Sequence, residues 1–245
     1  LQPGAGAALT DIRRYIDDAL EDRLRLATGA TQAASARQGT LSQVESFLDD
    51  ASGAGVSSRL GGFFQAFENL QNTPEDTAVR DFTIAAGDQL AGSLSTLRSQ
   101  FSKLGADIDG QVGDIVKEAD DLSHQIADLN SRITTSEAGR RGQATALRDQ
   151  RDALLRQLGE LMDVTVREQP DGAINVYVAS EALIQGSSVR GLIAVTDLDG
   201  EFARTSVRFA DTNQQINLNG GKLAGLIRSR DQDAYGQVAK LDQIA

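Results

Sequence analysis

The chain has 245 residues, 40% of them hydrophobic, a net charge of 24 − 35 = −11 and no cysteine. The length allows one large domain or two smaller ones. The acidic balance argues against nucleic acid and anionic membrane surfaces as partners, and the missing thiol excludes disulfides and thiolate chemistry. Aromatic residues make up only 4% and Trp is absent, which favours helix-on-helix seams of Leu, Ile and Ala over large aromatic-walled pockets. Nothing approaches the roughly eighteen consecutive apolar residues of a spanning helix. The opening, Leu1-Gln2-Pro3-Gly4-Ala5, lacks the charged and apolar regions of a secretory signal, and a start on Leu reads as a trimmed fragment.

From about residue 7 to residue 50 the pattern predicts helix. Leu9, Ile12, Ile16, Leu20 and Leu24 form one face, and Leu41, Val44 and Leu48 another. The stretch from Thr28 to Gly39 is continuous helix or a loosened segment. Ser52-Gly53-Ala54-Gly55 is a break, and a shorter helix follows with Leu60, Phe63, Phe64, Phe67 and Leu70, its three Phe expected to anchor a core.

The longest feature runs from Thr73 to about Thr134. Leu90, Leu94, Leu97, Phe101, Leu104, Ile108, Val112, Ile115, Ala119, Leu122, Ile126, Leu129 and Ile133 fall at intervals of 4-3-4-3-4-4-3-4-3-4-3-4. This is the alternation of a helix with one narrow seam, and the doubled step at Ile108 reads as a stutter. Thr73 is the expected N-cap, with Pro74 at the first helical position and Glu75-Asp76 in the first turn. Some sixty residues of helix would measure roughly 90 Å. Gly105, Gly110 and Gly113 interrupt the pattern and suggest a bend, a soft joint or a break into two helices.

Ser136 to Gly142 is a turn, and a returning helix to about Met162 carries Leu147, Leu154, Leu158 and Leu161 on one stripe, an antiparallel partner. Beyond Met162 the period falls to two. Val164–Val166 and Ile174–Val178 flank the turn Gln169-Pro170-Asp171-Gly172, a β-hairpin signal. Further strands are expected at Ala182–Gln185, Leu192–Thr196, Thr205–Ala210 and Gln215–Leu218, with Asp199-Gly200 and Asn219-Gly220-Gly221 as turns. From Lys222 the spacing of Leu223, Ile227, Ala234, Val238 and Leu241 is helical again. The expected class is therefore mainly α: a long-helix antiparallel bundle with coiled-coil-like seams from residues 1–161 and 222–245, carrying a small β domain at 162–221.

No catalytic, cofactor or metal site is expected. The one histidine, His124, falls just off the seam and reads as a helix-flank residue; with no Cys, no catalytic triad or zinc ligand set can be assembled. There is no Walker loop or dinucleotide fingerprint. Asp197-Leu198-Asp199-Gly200-Glu201 resembles a calcium loop only faintly and reads as a turn. Arg148 and Asp152 are placed to pair at i,i+4.

Four blocks carry a family likeness: Val56-Ser57-Ser58-Arg59-Leu60-Gly61-Gly62-Phe63-Phe64-Gln65-Ala66-Phe67 leading into Asn72-Thr73-Pro74-Glu75-Asp76 and Ala78-Val79-Arg80; Asp120-Asp121-Leu122-Ser123-His124-Gln125-Ile126-Ala127-Asp128-Leu129-Asn130-Ser131-Arg132-Ile133; Leu147-Arg148-Asp149-Gln150-Arg151-Asp152-Ala153-Leu154-Leu155; and Gly220-Gly221-Lys222-Leu223-Ala224-Gly225-Leu226-Ile227-Arg228-Ser229-Arg230-Asp231, then Leu241-Asp242-Gln243-Ile244-Ala245. The chain resembles the flagellar hook-associated proteins of the hook–filament junction, relatives of flagellin, and the third and fourth blocks favour the hook-side member. The resemblance implies a non-enzymatic subunit of the bacterial flagellum. It implies export by the flagellar type III apparatus without a cleaved signal and a location outside the cell. Its implied partners are copies of itself in a tubular ring, the hook protein, the neighbouring junction protein and an export chaperone at the C-terminal end of the whole protein. With the terminal segments absent, the fragment is expected to be monomeric. A flagellin-like axial protein and an intracellular coiled-coil scaffold or adaptor are the alternatives; an enzyme with a site in the β segment is the weakest reading.

Overall fold

A computed structural model describes residues 17–48, 55–138 and 142–243. The helical positions Leu9, Ile12 and Ile16, the break at 52–54 and the turn residues 139–141 lie outside these residues. Helix α1, Asp18–Phe47, runs unbroken through the Ala/Ser/Gln/Thr-rich middle, and α2 is Val56–Asn72. Helix α3, Thr77–Ser136, continues without a break past all three glycines. It is 60 residues long. After it come α4, Thr145–Leu161, six strands, and the helical run α5 (Gly221–Arg228), a π-helical turn (Ser229–Ala234) and α6 (Tyr235–Asp242). Mainly α with a small antiparallel β region is the architecture observed.

The seam of α3 is buried along most of its length. From Leu97 to Ile133 every seam position is buried, and only Leu90 and Leu94 are partly open. Gly105 explains its own presence, since a Cβ there would fall 2.1 Å from the ring of Tyr235, while Gly110 and Gly113 have open space. The start of α3 differs from expectation. The Thr73 hydroxyl donates to Asn69 O and closes α2; Asp76 Oδ1 accepts from Ala78 N–H at 2.9 Å and caps α3. Thr73 is therefore spent on the preceding helix. The Phe cluster is also corrected: Ala66 is the buried residue of α2, whereas Phe64 and Phe67 are 63% and 50% exposed.

The predicted hairpin forms as β1 (Thr165–Glu168) and β2 (Ile174–Val178), with Thr165 opposite Tyr177 and Glu168 opposite Ile174. β3 (Glu181–Gln185) and β4 (Ser188–Val189) extend it to the antiparallel order β1-β2-β3-β4. The β2–β3 turn sets Ala179 and Ser180 both at positive φ, as a two-residue turn of twisted strands requires. β5 (Leu192–Asp199) and β6 (Phe202–Phe209) pair separately around Gly200. Gln215–Leu218 is no strand; it makes a single bridge, Gln215 to Arg208.

By its contacts the chain divides into two compact units. One takes the described residues up to Thr31 with Val116–Ile193 and Val207–Gly221; the other takes Gln32–Ile115, Ala194–Ser206 and the described residues from Lys222 on. In the first, Gly221 at φ +81° lies so close to Met162 that a Cβ would sit 2.4 Å from its backbone nitrogen. Met162, the only methionine, is fully buried. In the second, α5 meets α1 at Gly225, where a Cβ would come within 2.4 Å of Ala33 O.

Candidate functional site

Helix α3 presents polar side chains that directly follow seam residues: Asp109 after Ile108, Asp120 after Ala119 and Asn130 after Leu129. Each accepts a hydrogen bond from a strand amide. In the first unit Leu192 N–H donates to Asp120 Oδ1 at 2.8 Å and Ile174 N–H to Asn130 Oδ1 at 3.1 Å. In the second, Thr205 N–H donates to Asp109 Oδ1 at 2.7 Å. A strand amide that faces away from the ladder has no backbone partner, and burial makes such a group costly unless a side chain answers it.

Asn130 is the densest of these points. Its amide nitrogen donates to Ile174 O at 2.9 Å and Gly186 O at 2.7 Å, and Arg151 Nη1 donates to its oxygen at 3.1 Å and to Gly172 O at 2.8 Å. Arg151 is 2% exposed. The block Arg148-Asp149-Gln150-Arg151-Asp152 thus has a physical purpose: its second arginine, Arg151, ties α4 and the β1–β2 turn to the middle of α3. Its first, Arg148, was expected to pair with Asp152 but donates to Glu137 Oε1 and Oε2 at 2.9 and 2.8 Å and to Glu168 at 2.8 Å. Glu137 also accepts from Ala144 N–H. The Arg148 bonds, outweighing burial, hold the Glu137 carboxyl down at about 2. In the turn, Gly172 stands at φ +87° with Arg148 Nη2 2.6 Å from where its Cβ would be, so only glycine fits.

In the second unit Arg230 Nη1 donates to Asp109 Oδ1 and Thr205 O, both at 2.6 Å, and Tyr235 donates to Asp109 Oδ2 at 3.2 Å. Burial of Arg230 opposes its charge, but Asp231 and Asp109 outweigh that and raise its pKa. Burial first, then the Asp109 charge, pushes the Tyr235 phenol up to about 12.

His124 stands 61% exposed on the flank of α3, 3.7 Å from Asp120, where the sequence placed it. Residues 197–201 are the end of β5 and its turn. Among the described residues no three His, Cys, Asp or Glu side chains gather as metal ligands, and no helix is long and apolar enough to cross a membrane. The buried polar residues that matter, Asp109, Asn130, Arg151 and Arg230, were not singled out as anchors by sequence reasoning. Their available signal was position, since Asp109 and Asn130 directly follow seam residues of α3 and Arg151 stands at helical spacing between Leu147 and Leu154 on the stripe of α4.

Such an arrangement, in which buried polar groups are engaged in fastening strand to helix, defines a helical-bundle module with a small β region. The chain belongs to the flagellar hook-associated proteins: residues 41–245 match the family model of the flagellar hook-associated protein FlgK helical domain. It is 29% identical over 250 residues to flagellar hook-associated protein 1 of Salmonella typhimurium and 28% over 252 residues to that of Escherichia coli, each alignment covering 99% of this chain and 45% of the relative. The protein of the same name from Bacillus subtilis is 23% identical over 75% of this chain. The fold is shared with the flagellar hook junction protein FlgK from Burkholderia pseudomallei, with a TM-score of 0.75 at 23% identity over 86% of this chain and 39% of that one. The chain thus spans less than half the length of these relatives.

Proposed function

We propose that this chain is the helical part of a structural subunit joining hook to filament in the bacterial flagellum. The match to the FlgK helical domain along residues 41–245 carries the reading. A 60-residue helix bearing a buried seam and side-chain anchors for strands suits a load-transmitting part of a tube. In this reading the whole protein leaves the cell through the flagellar type III apparatus and resides on the flagellum. It stacks with copies of itself in a ring between hook protein and the neighbouring junction protein, and a chaperone holds its C-terminal end before export. All six described strands fall between residues 165 and 209, which supports 162–221 as a β-rich insertion in a discontinuous helical domain of 1–161 and 222–245. The 245-residue chain alone is monomeric at micromolar concentration, checked by sedimentation.

The test is assembly on purified hook ends, viewed by electron microscopy. The whole protein should cap hooks and then accept the next junction protein, while the 245-residue chain alone does neither. Hooks left bare by the whole protein would overturn the reading and bring the coiled-coil adaptor forward.

A further inference from the structure

The π-helical turn Ser229–Ala234 interrupts an otherwise α-helical run from Gly221 to Asp242. Such turns are rare single-turn features, and no proline or glycine within Ser-Arg-Asp-Gln-Asp-Ala accounts for this one. What the turn achieves is convergence. Arg230 and Tyr235 are five residues apart, so an α-helix would point them about 140° away from each other. A turn closed by i→i+5 bonding brings residues at that spacing onto one face. From that face both reach Asp109, Arg230 taking Oδ1 at 2.6 Å and Tyr235 taking Oδ2 at 3.2 Å. Arg230 is 5% and Tyr235 3% exposed.

The contacts of α6 depend on the same register. The Tyr235 ring lies over Gly105 and stacks on Phe202 with centroids 4.1 Å apart. One helical span further on, Asp242 takes two bonds from Arg98, at 2.6 and 3.1 Å, in an exposed ion pair that Arg98 shares with Glu201. A second carboxylate, Asp233, is held by Arg37 at 3.0 and 3.1 Å, but Arg37 is 43% exposed and its bonds compete with water.

We propose that Asp109 is a register latch: it holds the π turn, and on its release the segment relaxes to α-helix and α6 rotates by one residue, about 100°, which carries Tyr235 off Gly105 and Asp242 off Arg98. The latch is a two-position element inside the second unit, and it stands whether or not the flagellar reading does. The face that α6 shows to α3 is then chosen by a single buried carboxylate.

Hydrogen exchange tests this on the whole chain. Asp109→Ala should speed exchange of the 235–242 amides about tenfold or more while the α3 amides on either side keep their protection. Arg37→Ala should change it less than about twofold. Deleting the exposed Gln232 removes the additional residue, so a plain α-helix leaves Tyr235 and Asp242 in place. In that background Asp109→Ala should alter α6 exchange by less than about twofold. Unchanged α6 protection in Asp109→Ala, or an equal effect in both backgrounds, would overturn the proposal. Should Asp109→Ala fail to fold, the double variant must fold and melt cooperatively; if it fails as well, Asp109 is an ordinary core acid and the latch is rejected.

Discussion

At Asn130 one short side chain answers four backbone or side-chain partners from three elements. Replacement by Leu keeps much of the volume and leaves two carbonyls, one amide and Arg151 without that partner. The expected loss is about 2–4 kcal/mol, read as a lower urea midpoint at unchanged slope. Asn130→Asp is the informative companion. It keeps the acceptor for Arg151 but loses both donors, so it should lie between Leu and wild type. Glu137 gives a pH signature. Its pKa falls from an ordinary 4.5 to about 2 on folding, so the unfolded chain takes up protons first. The stabilisation is complete above about pH 4.5 and is lost as pH falls through about 2. Glu137→Gln should lower Tm at neutral pH and flatten the decline of Tm between pH 4.5 and 2; a parallel decline in both proteins would remove Glu137 as its source.

Among the elements, α3 separates its glycines by what surrounds them. Gly105→Ala forces a methyl into the Tyr235 ring and should destabilise by roughly 1–3 kcal/mol. Gly110→Ala meets open space in a helix interior and should stabilise by about 0.5–1 kcal/mol. Thermal melts of the pair decide it, and equal effects would refute the distinction. The path of α3 was legible because burial selects a spacing, and eleven of its thirteen seam residues are buried. So was the hairpin, whose period of two survives in Ile174–Val178, whereas Gln215–Leu218 shows the same period and makes only one bridge, and the two-residue β4 is too short to show any. The cap of α3 was not legible, because Thr73 and Asp76 are both good capping residues and the choice turns on where α2 ends. The Phe cluster misled for a related reason: a periodic pattern names an apolar face without naming what covers it. Nor could the anchors be read in advance. Asp109, Asp120 and Asn130 serve amides 96, 72 and 44 residues away in the chain, and a polar residue beside a helical seam is ordinarily solvated. The π turn carries no local marker at all.

At the scale of the whole molecule, α3 is tied to strands far away in the chain by hydrogen bonds to Asp109, Asp120 and Asn130. Folding should therefore be cooperative within each unit, and far-UV and tyrosine signals should be lost together in urea for variants such as Asn130→Leu. Gly221→Ala adds a Cβ 2.4 Å from Met162 N at a left-handed φ. It is expected to be among the most damaging single changes, by roughly 3 kcal/mol or more, measured by denaturant titration. The same packing around Met162 has a chemical corollary. With no cysteine and one fully buried methionine, the folded chain offers oxidants no accessible sulfur. Peroxide should convert Met162 to its sulfoxide only as fast as the surrounding structure opens. The rate of that 16-dalton mass gain, about one oxygen atom, becomes an intrinsic clock for unfolding that needs neither label nor denaturant.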